Sequence, residues 1–180
     1  TIITATQVPF HARRIVSRLL EIPLHSIRVI KPRIGGGFGA KQEVLLEPYV
    51  ALVSMRTGRD TFCELSRQET FVSTRTRHPM RIVLRAGVKE DGEITALEMD
   101  ALMDSGAYGT HALTVLSNAG AKVLPLFNKI PNIGFVGRSV YTTRPVGGAY
   151  RGYGATQGYF ALNQQIDIIT RRIGVDMVDY

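Results

Sequence analysis

The 180-residue chain is 44% hydrophobic and 21% charged, enough apolar material for one packed domain or two small ones. It has no run near the roughly 18 to 20 apolar residues of a membrane span and no basic, apolar leader, which argues against a membrane protein or an intact secretory precursor. Its one cysteine, Cys63, cannot form an internal disulfide or a cysteine-held metal or iron–sulfur site and fits a reducing, cytoplasmic compartment, while a net charge of +7 raises the question of a polyanionic partner.

In chain order, Ala12, Ile15, Val16, Leu19 and Leu20 recur at helical spacing between Gln7 and Leu20, and Pro23 stops the run, so a helix is predicted there. Residues 26–31 (SIRVIK) have the β-branched content of a strand, ended by Pro32 just before Gly35, Gly36, Gly37 and Gly39. A second helix is expected over roughly 44–55, with Pro48 either in its first turn or kinking it. Residues 61–65 read as a short strand with Cys63 buried and inert within it. Met80, Ile82, Leu84, Ala86 and Val88 alternate, Asp91-Gly92 supplies a turn, and residues 93–102 run back, which predicts a hairpin. Residues 104–132 mix Gly, Ser, Asn and Pro with room for a short helix around 113–123. Residues 133–142 form a strand candidate. The glycine-rich stretch 147–154 then leads into a third helix with Tyr159, Leu162, Ile166, Ile169 and Ile173 on one stripe, stopped by Gly174. These elements predict an α+β fold, a two-layer α/β sandwich with a mixed sheet. The repeated order of strand, glycine loop and helix suggests two similar halves, about 1–75 and 76–180.

Two segments have the composition of a ligand site. In 33–42 (RIGGGFGAKQ) consecutive glycines let backbone N–H groups approach a ligand, because no Cβ intervenes and φ can be positive. Gly35, Gly37 and Ala40 satisfy G-x-G-x-x-G/A, with Asp60 about 20 residues on, and a dinucleotide-binding redox domain is the corresponding alternative. Pro32 and Arg33 interrupt the strand-to-glycine turn, however, and the hairpin is foreign to a βαβ series. A P-loop fails at Ala40 and Gln42. In 145–158 (PVGGAYRGYGATQG), Arg151 and two tyrosines, Tyr150 and Tyr153, sit among glycines ahead of a helix, as a pocket for a planar, anionic ligand requires. A structural turn remains open for the first loop, and for the second a reading of Tyr150 and Tyr153 as core aromatics with Arg151 a surface charge; the occurrence of both loops favours a shared pocket.

Other candidates are weaker. Residues 73–79 (STRTRHP) concentrate charge, but basic residues elsewhere are scattered among acidic ones without interleaved aromatics, so no nucleic-acid partner is expected. His11, His25, His78 and His111 lack metal-ligand spacing, and no serine stands in a G-x-S-x-G elbow.

Together, GGGFGAKQ (35–42), GGAYRGYGATQG (147–158), the intervening STRTRHP and NKIPN, and Thr6-Gln7 closely resemble the molybdenum hydroxylases of the xanthine dehydrogenase and aldehyde oxidase family. The resemblance runs over essentially the whole chain and is greatest to bacterial xanthine dehydrogenase-type molybdenum subunits. It implies the molybdenum cofactor-binding fold and an oxidoreductase that hydroxylates an electron-poor carbon of a heteroaromatic or aldehyde substrate with water. The cofactor implied is molybdenum-molybdopterin, plain or as the cytosine dinucleotide, held by the pterin dithiolene with no direct protein ligand to the metal. Electrons would leave through iron–sulfur clusters and FAD on partner domains or subunits.

By the same resemblance Gln7 faces the apical side of the molybdenum centre, Gly37, Phe38 and Gly39 lie against the metal's ligands, and Ala149 and Arg151 contact the cofactor region. Gln42, Tyr150 and Tyr153 take the substrate side. Gln42 stands where the mammalian purine enzymes have Glu, and residues 116–120 (LSNAG) hold no arginine to face a purine, which argues against xanthine. The catalytic general-base glutamate belongs to a C-terminal half outside these residues, so this piece alone is expected to be inactive. A non-catalytic homologue or assembly subunit of the same fold is the competing reading.

Overall fold

A computed structural model describes residues 1–126 and 129–180, and its internal packing sorts the chain into two units, Thr1–Thr76 and Arg77–Tyr180.

In the first unit β1 (Ile2–Ile3) pairs in parallel with β2 (Val29–Ile30), and α1 (Pro9–Leu20) connects them. Pro9 opens α1 in the first turn, where its missing N–H costs nothing, and the helix buries Ala12 and Val16. Pro48 likewise occupies the first turn of α2 (Glu47–Thr57), so it starts that helix rather than kinking it. A further helix, α3 (Arg67–Ser73), was not expected, although its start carries a capping box. The Ser66 hydroxyl accepts the Glu69 N–H at 3.3 Å and the Glu69 carboxylate accepts the Ser66 N–H at 2.8 Å. Those bonds hold the Glu69 carboxyl below its ordinary pKa.

Two strand expectations in this unit need correction. The strand over 26–31 shrinks to Val29–Ile30, because 24–26 wind into a 3-10 turn. Residues 61–65 form no strand, and Cys63 is exposed rather than buried. The unit's sheet is two strands of two residues, so it offers no ladder to which an isolated apolar run could add, and Phe62 is left 84% exposed.

The second unit is built on the predicted hairpin. Here β3 (Met80–Val88) runs antiparallel to β4 (Ile94–Gly106), with Met80 opposite Met103. The chain then passes through α4 (Ala112–Ala121) and returns as β5 (Asn132–Tyr141), parallel to β4. The sheet order β3-β4-β5 is therefore mixed, as expected. Leu97, Met99, Ala101 and Met103 alternate onto one buried face of β4, the Leu and Met side chains each worth about 2 kcal/mol of transfer free energy and the Ala101 methyl about 0.8. The stripe of α5 (Ala155–Ile173) supplies Leu162, Ile166 and Ile169. On the other face of the sheet Arg85 pairs with Glu98 at 3.4 Å and Arg138 with Asp100 at 2.6 Å. One sheet layer and one helix layer make up this unit. Asn128, the first residue of the NKIPN motif, lies outside the described residues. Among the described residues no helix is long and apolar enough to cross a membrane.

Candidate functional site

In the first unit the glycine loop is tied to the segment after β1. Gln7 N–H donates to the Lys41 carbonyl at 2.9 Å and the Thr6 hydroxyl donates to the same oxygen at 3.3 Å. The Gln7 side-chain oxygen accepts the Gly39 N–H at 3.0 Å, so its amide NH2 is the donor left to face a ligand. A Cβ at Gly37 would fall 2.3 Å from the Gln7 Oε1, and one at Gly36 would strike the Phe38 ring. Gln7, Gly37, Phe38 and Gly39 are thus one constellation, and Gln42 joins it through its N–H to the Gly39 carbonyl at 3.0 Å. The loop does not open a helix, since α2 begins only at Glu47, so the dinucleotide fingerprint lacks its required strand–turn–helix setting.

In the second unit residues 147–154 lie beyond the end of β4 and lead directly into α5. Gly147 N–H donates to the Ser105 carbonyl at 3.2 Å, and the Thr110 hydroxyl donates to the Gly147 carbonyl at 2.9 Å. Ala149 is fully buried under the loop, whereas Tyr150 and Arg151 are exposed. Tyr153 is half-buried, its hydroxyl 2.5 Å from the His111 Nδ1.

Strain marks the two loops. Among the described residues only three non-glycines have φ in the left-handed region. Glu21 terminates α1, and the other two are Phe38 (φ 50°) and Tyr153 (φ 47°), the aromatics of the two glycine loops. Such conformations cost about 1 to 3 kcal/mol each and persist where the surroundings impose them, most often at ligand sites.

The STRTRHP segment is where reading by sequence missed most. Arg77 is not part of a basic patch. Its guanidinium donates to the Arg151 carbonyl at 2.7 Å, to the Thr156 hydroxyl and to the Gln157 Oε1 at 3.3 Å, and it lies over the Tyr150 ring, 4.9 Å from the centroid. One side chain therefore latches both ends of the 150–157 segment. The only available signal was an Arg just before a predicted strand, because its partners lie more than 70 residues away.

His78 is buried, presses against Gly147, and among the described residues finds no hydrogen-bond partner for either ring nitrogen. Burial pushes its pKa below the ordinary imidazole value. Nearby His111 adds to that shift, and Asp104 opposes it. The unfolded chain then binds a proton near pH 6.5 that the folded chain refuses, so stability contributed by neutral His78 falls as pH drops below about 6.5. The Asp104 carboxyl is held below the usual carboxylate range, chiefly by the Thr142 hydroxyl at 2.7 Å, so its contribution is lost only at more acid pH. Urea unfolding between pH 8 and 5 should show this loss, with the slope flattened in His78→Gln. An unchanged slope in that variant would assign it to another group.

Among the described residues no group of three or more His, Cys, Asp or Glu is placed to hold a metal ion. In the first unit, backbone that a Cβ would obstruct and the Gln7 amide donor suit a ligand that the chain meets through its main chain and not through a metal-ligating side chain. The family model for the molybdopterin cofactor-binding domain matches residues 1–180. The chain belongs to that family. It is 40% identical over 180 residues to the putative xanthine dehydrogenase molybdenum-binding subunit XdhA of Escherichia coli K12, covering 99% of this chain and 24% of that protein. It is 39% identical over 175 residues to the probable hypoxanthine oxidase XdhD of Escherichia coli O157:H7, covering 97% of this chain and 18% of that one. The aldehyde oxidoreductase of Desulfovibrio gigas superposes with a TM-score of 0.86 at 27% identity, over 98% of this chain and 19% of its own. This molybdopterin-binding chain thus spans less than a quarter of the length of these relatives, and its fold is that of the matching part of the Desulfovibrio gigas structure.

Proposed function

We propose that this chain forms part of the molybdenum-cofactor subunit of a hydroxylase acting on a heteroaromatic or aldehyde carbon with water, its electrons passing to iron–sulfur and FAD partners. The observation that carries the reading is the paired strain at Phe38 and Tyr153 within two glycine loops of a molybdopterin-binding family member. The names of its relatives, xanthine dehydrogenase and hypoxanthine oxidase, support a redox role on planar heterocycles.

When bound, the cofactor supplies two-electron redox chemistry. The residues of the chain supply position. Gln7 would offer its NH2 to the metal centre, and Gly37 and Gly39 would present backbone with no Cβ to hold the cofactor off. Arg151 offers a charge-assisted contact to the cofactor region, while buried Ala149 keeps the loop close to the core. Gln42, Tyr150 and Tyr153 face substrate: the neutral amide both donates and accepts, and the rings present flat surfaces. The Arg77 guanidinium already covers one face of Tyr150, so stacking there uses the other.

The test uses the intact enzyme with molybdenum measured alongside turnover. Arg151→Ala should weaken cofactor retention or turnover by about 1.5 to 3 kcal/mol, and Arg151→Lys should rescue poorly because an ammonium lacks the planar fork. Gln42→Ala should keep its molybdenum and lose kcat/KM unequally across purines, pyridine carboxylates and aldehydes. A wild-type enzyme without molybdenum would instead favour a non-catalytic homologue.

A further inference from the structure

We propose that His111 is a specificity-determining positioning residue that fixes the plane of the Tyr153 ring by tying its hydroxyl to the imidazole. The inference rests on the reading of Tyr153 as substrate-facing. His111 Nδ1 lies 2.5 Å from the Tyr153 hydroxyl, and the two rings meet edge to face, 5.6 Å between centroids at 77°. The Tyr153 backbone is held independently: its N–H donates to the Tyr150 carbonyl at 2.7 Å and its carbonyl accepts from Asn118 Nδ2 at 3.2 Å. Its ring packs on the cluster of Ala101, Met103, Ala112, Val115 and Leu116. The aromatic is therefore fixed at the main chain, along the ring and at the hydroxyl, in a backbone conformation that a tyrosine adopts only under constraint.

The position of His111 strengthens the case. It is the N-cap of α4, where Ser, Thr, Asp or Asn would bond the first turn, yet its side chain makes no capping bond. The imidazole turns to Tyr153 instead. In either imidazole tautomer the phenol oxygen is held at Nδ1, which fixes where the hydroxyl lies. What is presented to a substrate is a ring of fixed orientation. A planar heterocycle gains from such a surface, whereas a small aliphatic aldehyde has no face to stack. His111 thereby biases the site toward flat heteroaromatic substrates.

The experiment compares wild type, His111→Leu, His111→Asn, Tyr153→Phe and the His111→Leu/Tyr153→Phe double variant of the intact enzyme, with molybdenum content and Tm recorded for each. Hypoxanthine, nicotinate and acetaldehyde are the substrates. Equilibrium dialysis of hypoxanthine without an electron acceptor gives a binding readout independent of turnover. For His111→Leu we expect full molybdenum, about tenfold lower kcat/KM and weaker binding for the heterocycle the enzyme uses, mostly in KM, and acetaldehyde within twofold. His111→Asn, whose Oδ1 reaches the place of Nδ1, should restore most of the loss. The double variant should be no worse than Tyr153→Phe alone, since both remove one hydrogen bond. If His111→Leu does not fold, Tyr153→Phe reads the same substrate ratio from the other partner. Equal losses for all three substrates, failure of Asn to rescue, or additive single effects in a molybdenum-loaded enzyme would overturn this proposal alone. A wild-type enzyme lacking molybdenum overturns the functional reading and this one with it.

Discussion

Gly154→Ala lowers the stability of the second unit by about 3 kcal/mol or more. Gly154 is the N-cap of α5 and adopts φ 99°, a region that L-residues enter only with strain of roughly 1 to 3 kcal/mol. A Cβ there would stand 2.0 Å from the Val115 carbonyl oxygen and 3.3 Å from the Ala119 amide nitrogen. Both belong to the backbone of α4, which cannot retreat without giving up the burial of Val115, Leu116 and Ala119. Overpacking of this kind adds about 1 to 3 kcal/mol. Thermal unfolding should show Tm reduced by on the order of 15 °C. Gly58→Ala is the matched control. Gly58 also has positive φ but nothing lies within 4 Å of a Cβ there, so it should cost only about 1 to 2 kcal/mol. Equal Tm values for the two variants would mean that α4 and α5 are not in the close contact described.

Arg77→Ala should reduce kcat/KM of the intact enzyme by about a hundredfold, the equivalent of roughly 3 kcal/mol. Each charged hydrogen bond is worth about 1.5 to 3 kcal/mol, but three bonds from one guanidinium do not add, and Arg77 is only partly buried. The loss falls on the loop that carries Tyr150, Arg151 and Tyr153, so turnover should suffer more than global stability. Arg77→Lys should recover a fraction, since one ammonium cannot reach Arg151, Thr156 and Gln157 while covering Tyr150. An Ala variant with wild-type kcat/KM and molybdenum content would show that the loop holds its shape without the latch.

Particular residues show why some of this could be read in advance. The period of two in residues 80–88 and the stripe of α5 were legible because burial of one face imposes a spacing on the chain itself. The glycine runs stood out as sites because only glycine tolerates φ of 129° or 89°, as at Gly36 and Gly39. Residues 61–65 misled because an apolar run is half of a strand, and the other half is a neighbouring edge that this unit does not provide. α3 was missed although its capping box, Ser66 with Glu69, was present as a local signal.

The hairpin, the long C-terminal helix, the two glycine loops and the family they mark are legible in the chain, since each depends on residues close together along it. Only the tertiary structure decided that Arg77 is a latch, that His78 is buried without partners among the described residues, that Cys63 is exposed, and that His111 grips Tyr153. The partners in those cases lie 42 to 80 residues away or are absent. Hydrogen bonding and burial act through space, so a side chain's role follows from what the fold brings within about 3 Å of it.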